Sequence, residues 1–190
     1  MKLGLFGGSF DPVHCGHLLM AQAACEECSL SRLFFIPAAQ SPLKSDNQPA
    51  PARERLRLLR LALAGCPQYE LDEQEVQRGG VSYTIDTIRD YHRRFPEAAL
   101  LYLIGEDHVP LLPKWRDTEE LARLAEFLVI PRPGHEPLPL PPPFRGRALQ
   151  GFPLGVSSSQ IRARIKAGLP IRNLVPDPVA EAILNHRLYV

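Results

Sequence analysis

Four short apolar bursts punctuate the chain, at Leu3 to Phe6, Leu33 to Ile36, Leu100 to Ile104 and Phe127 to Ile130, each bounded by Gly or Pro. Strands covered on both faces run continuously apolar instead of alternating, so these bursts read as buried parallel strands. Between them lie helical patterns at His17 to Cys28, Ala52 to Leu63, Thr84 to Phe95 and Thr118 to Leu124. A last strand is expected near Ala148 to Phe152, then one helix opening at Ser157 to Ser159 and another from about Val179 to His186. This rhythm predicts an α/β fold: a doubly wound, mostly parallel sheet with right-handed crossovers, helices on both faces and a short helical segment at the end.

The 190 residues suit one domain, 1–190, with a sizeable core. The 22 basic residues nearly balance 21 acidic ones, so no electrostatic footprint for a nucleic acid is present and any phosphate site must be local. No apolar run approaches a membrane span and the amino terminus lacks a basic stretch followed by an apolar segment and a cleavage site, so a cytoplasmic protein is expected; no pattern assigns an oligomeric state. Cys25 and Cys28 have the spacing of a redox or zinc pair, but no further ligands stand at a familiar spacing, and helical packing is the alternative. The stretch Pro137 to Pro143 reads as a stiff surface loop, because proline cannot donate to a sheet ladder.

In doubly wound sheets ligands bind beyond the carboxyl ends of the strands, which draws attention to the residues after the first strand. There the chain runs Gly7-Gly8-Ser9-Phe10-Asp11-Pro12-Val13-His14-Cys15-Gly16-His17 into a helix. Adjacent glycines allow close backbone approach, a helix amino terminus offers unpaired N–H groups, and His14 and His17 can reach the same side of one turn. Phosphate suits such a place; a tight turn carrying two part-exposed histidines, or half of a metal site, is the bland alternative. Near the other end, Val156-Ser157-Ser158-Ser159-Gln160-Ile161-Arg162 is a capping box by spacing, and equally a second phosphate-binding helix start.

The first segment resembles the H-x-G-H signature of the nucleotidyltransferase superfamily, and the second its I-S-S-T-x-I-R motif, with Ser158, Ser159 and Arg162 at the matching positions. Further segments are similar to elements of the bacterial nicotinate-nucleotide adenylyltransferases: Phe35 to Lys44, Ser82-Tyr83-Thr84-Ile85-Asp86-Thr87, Ile104-Gly105-Glu106-Asp107 and Leu112-Pro113-Lys114-Trp115-Arg116. The resemblance implies transfer of AMP from ATP to nicotinate mononucleotide, with Mg²⁺ carried on the ATP phosphates and no covalent intermediate. It implies that His14, His17, Lys44 and Arg162 stabilise charge on the triphosphate, that Ser158 and Ser159 donate hydroxyls, and that Gly7, Gly8, Ser9 and Phe10 shape the floor. It further places Asp107 near the ribose or metal, Arg132 near the adenine, Trp115 on the pyridine ring, and backbone N–H groups near Thr84 and Arg116 on its carboxylate. Read without the resemblance, Trp115, just past a Pro and beside charged residues, suits stacking on a flat ring with core packing as the alternative, and Asp107 or Thr84 could be only helix-start residues. An adenylyltransferase with another acceptor and a nucleotide sensor without turnover are the competing readings.

Overall fold

The computed structural model describes residues 1–42, 49–132, 134, 138–152 and 154–190. Six parallel strands form one sheet in the order β3-β2-β1-β4-β5-β6: β1 is Lys2–Gly8, β2 Arg32–Pro37, β3 Tyr69–Leu71, β4 Ala99–Gly105, β5 Glu126–Ile130 and β6 Gly146–Ala148. The helices are α1 (Cys15–Cys28), α2 (Ala52–Leu63), α3 (Gln74–Arg78), α4 (Thr84–Arg94), α5 (Thr118–Leu124), α6 (Ser158–Lys166) and α7 (Asp177–Asn185), with a 3-10 helix at Glu106–Lys114.

The apolar bursts are continuous because both faces of the sheet are covered. Leu33, Phe35, Leu101, Leu103 and Leu128 point to the side of α1, α2, α6 and α7, where Met20, Leu58, Leu59, Ile161 and Val179 meet them. The residues between them, Phe34, Ile36, Leu100, Tyr102, Ile104, Phe127 and Val129, face Ile85, Ile88, Val109, Leu112 and Leu121 of α4, the 3-10 helix and α5. Helix α1 presents Ala21, Ala23 and Ala24 to the core, so its backbone lies close to the strands.

Several boundaries differ from the sequence reading, each for a local reason. Helix α1 starts at Cys15, before His17, with His14 as an extended N-cap. The edge strand β6 lies at Gly146–Ala148 instead of Ala148 to Phe152: it is polar and largely exposed, and Gly146 passes so close to Phe127 that a Cβ there would stand 1.9 Å from its carbonyl oxygen. Strand β3 and helix α3 are too short to show a period, and Pro110 and Pro113 hide the 3-10 helix. Among the described residues no helix is long and apolar enough to cross a membrane.

Strand order reverses between β1 and β4, whose helical connections leave on opposite faces. In sheets of this kind ligands bind at such a switch point, which here lies beyond Gly8 and Gly105.

Candidate active site at the carboxyl ends of β1 and β4

The segment after β1 is shaped by its neighbours. A Cβ on Gly7 would stand 2.1 Å from the Tyr102 hydroxyl, so only glycine passes there. Phe10 holds φ at 45° while its ring is buried against Phe6 and Phe35; backbone strain on the order of 1–3 kcal/mol is offset by that anchoring. The floor thus depends on the Phe10 side chain as well as on close backbone approach.

His14 and His17 are brought together as their spacing predicts: their rings stack with centroids 3.6 Å apart. The His17 Nδ1 accepts the His14 backbone N–H at 3.2 Å, which puts the proton of a neutral His17 ring on Nε2. Phe6 and Phe10 close round His17 with ring centroids 5.8 and 5.0 Å away. A side chain bounded this way is oriented before any ligand arrives. Gly16 allows the stack: a Cβ there would press on the His14 ring at 3.1 Å and on Val156 of the second motif at the same distance. The backbone amides contribute less than the sequence suggests, since Cys15 N–H donates to the Leu174 carbonyl and His17 N–H to the His14 carbonyl.

The second motif docks directly on the first. Ser158 Oγ donates to the Pro12 carbonyl at 2.9 Å, and Arg162 Nη1 donates to the Asp11 carbonyl at 2.6 Å and lies 3.6 Å from its carboxylate. The single Ser158 proton is thereby directed at protein, which makes Ser158 a tie between the motifs and not, in this state, the hydroxyl donor the sequence reading assigned. Ser157 closes a capping box with Gln160, and its Oγ lies 3.0 Å from that of Ser159. The amides of Ser158 and Ser159 begin α6, where no intrahelical acceptor exists for them. The cap and the candidate phosphate-binding helix start are therefore one structure.

Asp11, quoted in the motif but given no role from sequence, is buried between cations. Its Oδ1 accepts from the Ala50 N–H at 3.0 Å and the Tyr189 hydroxyl at 2.9 Å. Arg55, also unassigned from sequence, is fully enclosed and donates to the carbonyls of Ser9 and Ala50. Its signal was present: an arginine three and four residues before Leu58 and Leu59 stands on the apolar stripe of α2.

Across the crevice, Thr84 opens α4 with its hydroxyl 3.5 Å from that of Tyr102. Trp115 is half-buried and edge-on to Tyr102, Phe127 and His108, so it borders the core while keeping part of its ring open. Arg116 lies over the Tyr83 ring at 5.0 Å. Asp107 is exposed and pairs with Arg132 at 3.3 Å, while the neighbouring Glu106 is buried and accepts the N–H groups of Arg132 and Leu138. Among the described residues Glu106, beside the more conspicuous Asp107, ties down the chain after β5. Lys44 lies outside the described residues. Cys25 and Cys28 face the core from α1, and burial pushes the Cys25 thiol up to about 11, far from a reactive thiolate.

Burial, with the Arg132 charge second, lowers His14 from 6.5 to about 4, so the ring is neutral at pH 7. Its Nδ1 has no partner among the described residues. The folded state prefers the neutral ring, so this stabilisation is complete above pH 6.5 and is lost as pH falls through about 4. The gap corresponds to on the order of 3 kcal/mol. Unfolding free energy is expected to fall more steeply between pH 6.5 and 4 in the wild type than in His14→Gln, measured by denaturant titration. Parallel slopes would refute the assignment.

Residues 5–164 match the cytidylyltransferase-like family. A protein of Opitutus terrae named "Probable nicotinate-nucleotide adenylyltransferase" is 40% identical over 194 residues, covering 100% of this chain and 98% of its own. One of Exiguobacterium sibiricum with the same name is 42% identical over 189 residues, covering 100% and 99%. Among solved structures, Plasmodium falciparum nicotinic acid mononucleotide adenylyltransferase complexed with NaAD superposes with a TM-score of 0.81 over 99% of this chain and 97% of its own; at 16% identity this likeness speaks to the fold.

Proposed function

We propose that this chain, which belongs to the cytidylyltransferase-like family and within it to the nicotinate-nucleotide adenylyltransferases, transfers AMP from ATP to nicotinate mononucleotide. The products are nicotinate adenine dinucleotide and pyrophosphate. One observation carries the reading beyond family membership: two motifs about 150 positions apart converge on one cationic, helix-flanked corner through Ser158 to Pro12 and Arg162 to Asp11. That corner suits the triphosphate of a nucleotide.

In the reaction a phosphate oxygen of the mononucleotide attacks the α-phosphorus of ATP in line, and the bond to the β-phosphate oxygen breaks. The nucleophile is already ionised near neutral pH, so a general base adds little and positioning with charge stabilisation supplies most of the acceleration. His17 donates from Nε2, Arg162 from its guanidinium, and the α6 amides with Ser159 complete the donors; His14, to which the resemblance gives the same role, is buried and neutral and instead braces His17 through the stacked rings. Lys44 joins them by family resemblance. Mg²⁺ carried on the ATP phosphates would offset their charge; the donor set fits this, since among the described residues the buried carboxylate at the corner, Asp11, is already held by Arg162, Tyr189 and Ala50.

The acceptor lies on the other side of the crevice, with its pyridine ring on the open part of Trp115 and its carboxylate on backbone N–H groups near Thr84 and Arg116. Asp107 and Arg132 face the adenosine. Stacking is worth about 0.5 to 1.5 kcal/mol beyond burial, so Trp115→Ala is expected to raise KM for nicotinate mononucleotide roughly threefold to tenfold and to leave KM for ATP nearly unchanged. Equal rises in both constants would return Trp115 to the core.

The acceptor assignment is tested by comparing catalytic efficiencies with nicotinate and nicotinamide mononucleotides. The amide would aim its NH₂ at donors, at a cost of about 1 to 3 kcal/mol, so a preference for the acid of roughly fivefold to a hundredfold is expected. Equal efficiencies or an amide preference would overturn the acceptor and leave adenylyl transfer standing.

A further inference from the structure

We infer that Asp11, braced by the Tyr189 hydroxyl, is a positioning residue that holds the Arg162 guanidinium at the triphosphate corner, so that Tyr189 acts in catalysis through Arg162 without touching substrate. This rests on the reading of Arg162 as a stabiliser of triphosphate charge.

The carboxylate of an aspartate turns about a broad, roughly two-fold torsion, and a guanidinium facing one oxygen does little to stop it. Here Oδ1 is fixed by two donors, the Ala50 N–H at 3.0 Å and the Tyr189 hydroxyl at 2.9 Å. With Oδ1 pinned, Oδ2 is left facing Arg162 Nη1 at 3.6 Å, and the same Nη1 donates to the Asp11 carbonyl at 2.6 Å. Asp11 therefore grips one corner of the guanidinium from two sides. Both contacts fall on Nη1, so the N–H groups of Nε and Nη2 remain for phosphate as far as the described residues are concerned.

Tyr189 reaches this place by a definite path. After α7 the chain turns back with Arg187 at φ 49° and Tyr189 at φ 68°, and the Leu188 N–H donates to the Ile183 carbonyl. Left-handed backbone at two non-glycine residues is uncommon, and it delivers a hydroxyl to a carboxylate 178 positions earlier in the sequence. Burial, with the Asp11 charge second, holds the phenol far above its usual range, so it remains a donor. Arg55 completes the arrangement from behind by fixing the Ala50 carbonyl, whose residue supplies the other bond to Oδ1.

A double-mutant cycle tests the inference, because a residue acting through Arg162 loses its effect when Arg162 is gone. Turnover is measured for wild type, Tyr189→Phe, Arg162→Ala and the double variant, together with calorimetric binding of inorganic tripolyphosphate with Mg²⁺. Tyr189→Phe is expected to lower turnover and tripolyphosphate affinity about tenfold beside Arg162, the scale of one hydrogen bond to a charged group, and by less than about twofold in the Arg162→Ala background. Asp11→Asn, which keeps the side chain's shape and one acceptor oxygen but removes the charge and puts an NH₂ donor in place of the other oxygen, goes through the same cycle and reads the coupling even if Tyr189→Phe folds poorly. Equal losses in both backgrounds, or no loss beside Arg162, would overturn the inference. Tripolyphosphate binding needs no acceptor, so failure of the coupling is distinguishable from failure of the functional reading, which would appear as a wild type that forms no dinucleotide.

Discussion

His17→Ala is expected to lower turnover by about 100-fold or more while the protein stays folded, the scale for removing one donor to a transition-state oxyanion. The structure sharpens the reason for so large an effect. His17 has its Nδ1 occupied by the His14 N–H and its ring held by His14, Phe6 and Phe10, so the ring is oriented before any nucleotide binds. Donors fixed in advance contribute more than donors that must be ordered during the reaction. The loss should appear in turnover at saturating ATP and Mg²⁺, with the unfolding midpoint shifted by only a few degrees, because one half-buried ring is removed. Near-normal turnover in a folded His17→Ala protein would take His17 out of the site.

Arg162→Ala should cost about as much, roughly 100-fold in turnover, and should weaken ATP use more than acceptor use. Arg162→Lys should restore only part of it, since an ammonium cannot reproduce a planar fork that meets Asp11 at one corner and phosphate at the others. Loss of the fold is not expected: Asp11 keeps the Ala50 N–H, the Tyr189 hydroxyl and the nearby Arg55 as partners. Steady-state constants for both substrates, with denaturant unfolding of each variant, check this. An unfolded Arg162→Ala protein, or one with unimpaired turnover, would reduce the Ser157 to Arg162 segment to a cap.

How much of this was legible in the sequence depended on the range of the interaction concerned. The four interior strands are bursts of consecutive apolar residues because each is covered on both faces, and such bursts are visible without any knowledge of partners. Strand β6 is Gly-Arg-Ala at an exposed edge, and β3 is three half-buried residues; neither carries a pattern that separates it from a loop. The paired histidines and the serine-rich helix start were readable because spacing places them locally. Their convergence was implied by family resemblance and is physically made by Ser158, Arg162 and Asp11. What stayed hidden were contacts between distant positions: Tyr189 on Asp11, Arg55 on Ser9, Glu106 on the chain after β5. Glu106 was masked by the more conspicuous Asp107, although a carboxylate directly after a buried strand is itself a hint that backbone amides converge there.

Adenylyl transfer itself is tested most directly by following phosphorus resonances of ATP, Mg²⁺ and nicotinate mononucleotide mixed with catalytic amounts of the wild-type protein. One equivalent of pyrophosphate and one of nicotinate adenine dinucleotide are expected for each ATP consumed, with no AMP or ADP accumulating. Binding of both nucleotides without pyrophosphate release would make the protein a sensor and contradict the account.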